Sequence, residues 1–156
     1  MRRSFNLMAL LVCACGRARW EGSQTLSRTV QTSPDSVLAA ANRALRGHGY
    51  TPILVDSILM VTQPHQVPVY TRNVSTAADS SAQWVLQIQV SPAFQATETR
   101  ITIAAFVVPS SAMASNAASP SSRGVLVTSK DPQLFAEVQR VGNWIIAEAK
   151  HETDRD

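Results

Sequence analysis

The chain is poor in the residues that build covalent and metal-bound sites. Its only two cysteines are Cys13 and Cys15, so the domain that follows holds no disulfide and depends on its hydrophobic core. Its three histidines, His48, His65 and His151, lie far apart in the sequence. Such spacing is unlike the clustered ligand sets of metal centres, and we expect neither a metal nor a cofactor.

The motifs of the common enzyme classes are also missing. The chain has no Gly-x-Ser-x-Gly, no His-Glu-x-x-His and no glycine-rich phosphate loop. The acidic residues Asp56, Asp79, Glu98 and Asp131 fall in predicted turns or at a helix cap, where carboxylates are common for structural reasons. The sequence therefore predicts a protein without catalytic residues.

Charge is low and nearly balanced. The 14 Lys and Arg residues exceed the 11 Asp and Glu residues by three. Without Arg2 and Arg3, which lie in the N-terminal segment discussed next, 12 basic residues stand against 11 acidic ones. The remaining basic residues are scattered, so we expect no nucleic-acid partner.

The N-terminal segment has the order of an export signal. The cationic stretch Met1–Ser4 precedes an apolar run from Phe5 to Ala14. That run is about half of the roughly 20 residues needed to span a bilayer. It fits the apolar region of a signal peptide better than a transmembrane helix.

The run ends in Leu11-Val12-Cys13-Ala14-Cys15-Gly16, which resembles the lipobox of bacterial lipoproteins. Cys13 departs from the usual pattern at a position that tolerates small residues. The resemblance implies that residues 1–14 are removed and that Cys15 carries the lipid. It also implies an envelope protein that its lipid anchor holds to a membrane. In this family an Asp after the lipidated cysteine favours the inner membrane, and this chain has Gly16 there. The resemblance therefore implies the outer membrane, with the domain facing the periplasm. The alternatives are an N-terminal hairpin or buried helix, or a Cys-x-Cys metal or redox site.

Residues 15–24 are predicted to be a tether, and residues 25–150 a single domain. A short strand covers Leu26–Gln31. Ser33 is a good N-cap, Pro34 suits the first helical position, and Asp35 complements the helix dipole. The helix is predicted to end near Arg46, before Gly47 and Gly49, with an apolar stripe on one face (Val37, Leu38, Ala41, Leu45).

The rest of the domain is predicted to form strands followed by a closing helix. A hairpin is predicted around Asp56-Ser57, with one bent strand as the alternative. Alternating apolar residues predict long strands, and polar Ser/Ala/Pro-rich stretches predict loops. The predicted segments are an edge strand Val67–Thr71, strands Trp84–Val90, Thr99–Val108 and Val125–Thr128, a flexible loop Pro109–Arg123, a helix from Pro132 to about Lys150, and a charged tail 151–156.

This order predicts an α+β fold with two layers: a twisted antiparallel sheet with two helices packed on one face. The order β-α-β-β-β-β-α, the cap Thr32-Ser33-Pro34-Asp35 and the helix end Gly47-His48-Gly49-Tyr50 resemble the helix-grip domains of barrel-assembly-machinery lipoproteins. That resemblance implies an interaction or accessory module without catalysis.

Two functions remain open. One is a module that binds another envelope protein through the second face of the sheet, where Phe106 and Val108 oppose the core residues and Ile58 and Met60 are candidates to join them. A loop or the first strand covering those side chains is the alternative. The other function is a carrier of an apolar ligand between helix and sheet, in a cavity lined by Trp84, Leu86 and Ile145. The alanines of the first helix argue against a large cavity, because they let the helix approach the sheet closely.

Overall fold

A computed structural model describes residues 22, 24–66, 83–94, 97–108 and 124–153. The predicted signal peptide, Cys15, the edge strand at 67–71 and the loop at 109–123 lie outside these residues. The described residues form seven strands and two helices: β1 Leu26–Val30, α1 Pro34–Gly47, β2 Pro52–Leu54, β3 Leu59–Thr62, β4 His65–Gln66, β5 Gln83–Pro92, β6 Thr99–Val108, β7 Val125–Leu126 and α2 Pro132–Thr153.

Helix α1 begins where the sequence predicts and ends at Gly47, one residue after the predicted end. Ser33 is the N-cap, and its hydroxyl accepts a hydrogen bond from the Ser36 amide at 3.3 Å. This bond satisfies one of the amides that a helix leaves unpaired at its start. Past the C-terminus, Gly49 has a φ of +83°, a conformation that glycine adopts without steric cost. The predicted stripe is buried and has two further alanines (Val37, Leu38, Ala40, Ala41, Ala44, Leu45).

The predicted hairpin is confirmed. Strands β2 and β3 pair in antiparallel fashion, with Ile53 opposite Val61. The turn between them is closed by the Val55 amide, which donates to the Leu59 carbonyl at 2.9 Å. Inside the turn, the Ile58 amide donates to Asp56 Oδ1 at 2.8 Å. Asp56 thus has the structural turn role that the sequence indicates for it.

The two longest strands, β5 and β6, lie at the centre of the sheet. The sheet is antiparallel in the order β1-β6-β5-β3-β2, while β4 pairs with β5 and β7 with β6. Alternation along these strands is as predicted, with every second side chain in the core (Trp84, Leu86, Ile88, Val90, Ile101, Ile103, Ala105, Val107). The twofold period of a strand therefore fixes which face meets the helices.

A bulge lies between β3 and β4. Val61 is opposite Gln87, but His65 is opposite Trp84, so the β3–β4 side has one residue more than β5 across the junction. At this break the Leu86 amide donates to the hydroxyl of buried Thr62 at 3.0 Å. The hydroxyl thus satisfies an amide at the point where the ladder is interrupted.

Helix α2 closes the layer over the sheet. Its predicted stripe of Leu134, Val138, Val141 and Ile145 is buried, and the helix extends to Thr153, beyond the predicted end near Lys150. On its outer side Glu148 Oε1 forms an ion pair with Arg43 Nε of α1 at 2.8 Å. Both helices pack against one face of the sheet around one core cluster. The protein is therefore a two-layer α+β fold, as the sequence predicts.

Candidate functional site on the open face of the sheet

The face of the sheet turned away from the helices is named the open face. It follows from strand alternation: each core residue is flanked by neighbours that point to the other side. The strand registers place these side chains on it: Ile53 from β2, Leu59 and Val61 from β3, Val85, Gln87 and Gln89 from β5, Thr102, Ala104, Phe106 and Val108 from β6, and Ser27 and Thr29 from β1.

The open face has a polar half and an apolar half. Near β1 it presents polar groups: the hydroxyls of Ser27, Thr102 and Thr29, and the guanidinium of Arg100 opposite Thr29. Near the β2–β3 hairpin it presents aliphatic side chains, such as Ile53 opposite Val61. A sheet face in contact with water normally carries polar side chains. The apolar half departs from this pattern, and the polar half follows it.

A hydrophobic groove of about 520 Å³ lies in this apolar half. Val55 and Ile53 retain 58% and 48% of their surface exposed along it, and Phe106 is half-buried. Polar groups at its margin come from Gln63 and Gln87. The apolar lining is contributed by β2, β3, β5 and β6 together (Ile53, Val55, Leu59, Val61, Val85, Phe106).

The structure separates the four residues predicted to form a partner surface. Phe106 lines the hydrophobic groove. Val108 is on the same face but is only 4% exposed, so it is not available to a partner. The same holds for Val85, whose side chain is on this face but only 1% exposed. Ile58 is exposed in the hairpin turn. Met60 does not belong to this face: it is 3% exposed and packs in the core, because its position in β3 alternates with those of Leu59 and Val61.

Sequence reasoning missed Ile53, Val55 and Val61 as members of the groove. The hairpin strands are apolar at nearly every position, so they show no contrast between inner and outer residues. The pairing of Met60 with the core residue Ile88, and of Leu54 with Met60, supplies the missing information. It assigns Leu54 and Met60 to the helix side and the residues flanking them to the open face.

The space between the helices and the sheet is filled at its centre. Trp84, Leu86 and Ile145 have no water-accessible surface, so no cavity that admits water touches them. The tilted rings of Tyr50 and His65, with centroids 4.5 Å apart, pack beside Trp84. The cavity that would support a ligand carrier therefore does not lie at these three residues.

A second groove, also of about 520 Å³, opens where α1 meets the β2–β3 hairpin and is named the edge groove. Its walls are mostly apolar (Leu38, Ala39, Pro52, Leu54, Met60). Asp35 and Arg46 lie near opposite ends of α1, and both line it. The edge groove therefore combines an apolar middle with one acidic and one basic flank.

Within the part of the chain that the structure describes, no group of three or more His, Cys, Asp and Glu side chains could hold a metal ion. His48 stacks on Trp144, and His65 lies against Tyr50. None of the described helices is long and apolar enough to cross a membrane. No protein-family profile and no curated protein sequence matches this chain.

Proposed function

We propose that the protein is a lipid-anchored envelope lipoprotein that works as a non-catalytic interaction module. Its lipidated residue is Cys15, and its partner is another envelope protein that presents an apolar surface to the open face. The observation that carries this proposal is the hydrophobic groove, where Ile53 and Val55 are about half exposed beside half-buried Phe106. Clustered exposed apolar side chains of this kind typically mark an interaction site.

The size of the groove indicates the kind of contact. Burial of apolar surface contributes roughly 25 cal/mol per Å², and a few well-packed side chains supply most of the energy of a typical interface. A groove of about 520 Å³ accommodates a few large apolar side chains, not a whole domain surface. The partner is therefore expected to insert a short apolar segment, with Gln63 and Gln87 available for hydrogen bonds at the margin.

Anchoring makes such a small contact effective. Leu26 begins β1 eleven residues after Cys15, so a fully extended tether reaches at most about 40 Å. Confinement near the membrane raises the effective concentration of the domain around membrane-bound partners. A contact that is weak in solution is then sufficient for association.

The test is site-specific photo-crosslinking in membranes of the source cell, with a photoreactive amino acid at position 87 of the full chain. Adducts to a distinct protein are expected, and the double substitution Phe106→Glu and Val61→Lys should remove them. The matched control is Val125→Glu: Val125 is 52% exposed but lies opposite Val107, on the helix side of the sheet. Adducts that persist at full yield in a folded double variant would refute the proposed surface.

The alternative function, transport of an apolar ligand, is favoured by one observation, the apolar middle of the edge groove. That groove is bordered by the edge strand β2, whose backbone is available for pairing. Available backbone groups and flanking charges fit a polypeptide better than an apolar ligand at this position.

A further inference from the structure

We infer that two copies of the chain associate through strand β2, pairing edge to edge around Leu54 to form a twofold-symmetric dimer. The inference does not depend on the partner proposed for the open face, because it concerns the edge of the sheet and a second copy of the same chain. Four features of β2 and its surroundings lead to it.

The first feature is the direction of the backbone groups of β2. The Gln63 amide donates to the Thr51 carbonyl at 2.8 Å, and the Val55 amide donates to the Leu59 carbonyl at 2.9 Å. Hydrogen-bonded pairs alternate along an antiparallel ladder, so residues 51, 53 and 55 use their backbone groups toward β3. The amide and carbonyl of Leu54 therefore point away from the sheet, where an added strand would accept and donate one bond each.

The second feature is the contrast between the two edges of the sheet. Natural proteins protect edge strands with charged side chains. Strand β1 carries Arg28, and Lys150 of α2 lines the same rim. Strand β2 carries no charge along Pro52–Leu54, and Leu54 keeps 58% of its surface exposed. The β1 edge thus carries charge against strand addition. On β2, Leu54 offers an outward amide and Pro52 offers none, so the added pairing is limited to the two bonds of the Leu54 pair.

The third feature is the charge pattern of the edge groove, which fits a copy of itself. Asp35 lies in the first turn of α1 and Arg46 in the last, and both line the groove. A twofold axis through Leu54 sets the two α1 helices antiparallel, so Asp35 of each copy is directed toward Arg46 of the other. In such an isologous contact every favourable pair occurs twice. Within one copy, Arg46 Nε donates to the neutral side chain of Asn42 at 3.0 Å.

The fourth feature is what pairing would cover. Leu54 of each copy would lie opposite its counterpart, with its side chain in the edge groove between Ala39 and Pro52. On the other side of the sheet, Ile53 and Val55 of the two copies would become neighbours across the axis. The two hydrophobic grooves would then lie side by side on one continuous sheet.

The test measures the mass of the full chain, extracted from membranes into density-matched detergent, by sedimentation equilibrium. A dimer is expected for the unaltered chain. Leu54→Pro should weaken dimerisation by about tenfold or more, because it removes the outward amide and leaves the bonds to β3 in place. Leu54→Lys is the second variant, since it keeps every backbone bond and places a charge at the axis.

Charge exchange distinguishes a second copy from any other occupant. Asp35→Arg alone should weaken the dimer, because it places a second positive charge opposite Arg46, and adding Arg46→Asp should restore it. Phe106→Glu, on the open face, should leave the mass unchanged, so failure of the partner proposal is separable from failure of this one. A monomer in the unaltered chain at every concentration, a dimer that persists in folded Leu54→Pro and Leu54→Lys, or an edge groove that instead retains a bound lipid or a foreign peptide would overturn the inference.

Discussion

The imidazole of His48 lies flat on the indole of Trp144, with ring centroids 3.5 Å apart and planes 8° from parallel. This contact joins the C-cap of α1 to the middle of α2. Stacked rings contribute about 0.5–1.5 kcal/mol beyond the surface that they bury. We therefore expect His48→Ala to lower the free energy of unfolding in urea by at least about 0.5 kcal/mol, because it removes both the stack and the surface that the stack buries. His151→Ala, at an exposed site near the end of α2, is the control, and equal small effects of the two substitutions would show that the stack adds nothing.

Trp84 should be the most sensitive single position in the core. Among the residues that the structure describes, it is the largest fully buried side chain, and it packs near Tyr50, with ring centroids 6.4 Å apart. Truncation leaves a cavity that the surrounding side chains cannot fill, so Trp84→Ala should cost about 3–5 kcal/mol in urea unfolding. Gln89→Ala, at an exposed position of the same strand, should change stability by no more than about 0.5 kcal/mol. A small effect at Trp84 would contradict the packing described for β5.

Thr62 should show how much its side-chain hydrogen bond at the bulge contributes to stability. Its hydroxyl accepts a hydrogen bond from the Leu86 amide, and both residues are buried. Thr62→Val keeps the shape but leaves that amide without an acceptor, which costs about 1–3 kcal/mol. Thr62→Ser retains the hydroxyl and should lose less. Calorimetric unfolding of both variants provides the comparison, and a valine variant as stable as the parent would mean that the amide finds another acceptor.

The anchor proposal predicts a specific mass. Intact-mass spectrometry of membrane-extracted protein should show a chain that begins at Cys15 and carries the mass of a lipid, since stable anchoring takes two or more acyl chains. Cys15→Ser should abolish the lipid, while Cys13→Ser should retain it. Retention of Met1 in the parent protein, or loss of lipid in the Cys13 variant alone, would rule out Cys15 as the lipidated residue.

The fold was predictable wherever polarity changes with a regular period. The Ser33 cap, the helical stripe of α1 and the alternation of β5 and β6 each depend on residues near one another in sequence, and each is confirmed. The face of Met60 was not predictable, because its neighbours Leu59 and Val61 are equally apolar. Only pairing with a distant strand decides which of them meets the core.

The candidate site was less predictable than the fold for the same reason. Phe106 was identified because it alternates with Ala105 and Val107 in one strand and therefore faces the other side of the sheet. Ile53 and Val55 join it only through the sheet order β6-β5-β3-β2, which brings residues from four strands together. The bulge at Thr62 depends on a one-residue difference between two ladders, and no local pattern encodes it.

The place of β1 in the sheet has a consequence for the order of events during synthesis. Leu26 pairs with Ile103 and Val30 with Thr99, so β1 has its partner about seventy residues later in the chain, a long-range contact of the kind that slows folding. While the chain emerges from its N-terminus, β1 stays unpaired until β6 is available. The hairpin β2–β3, by contrast, closes within a few residues. Under the export that we propose, this order would keep the N-terminal strand out of the sheet until β6 has been synthesised.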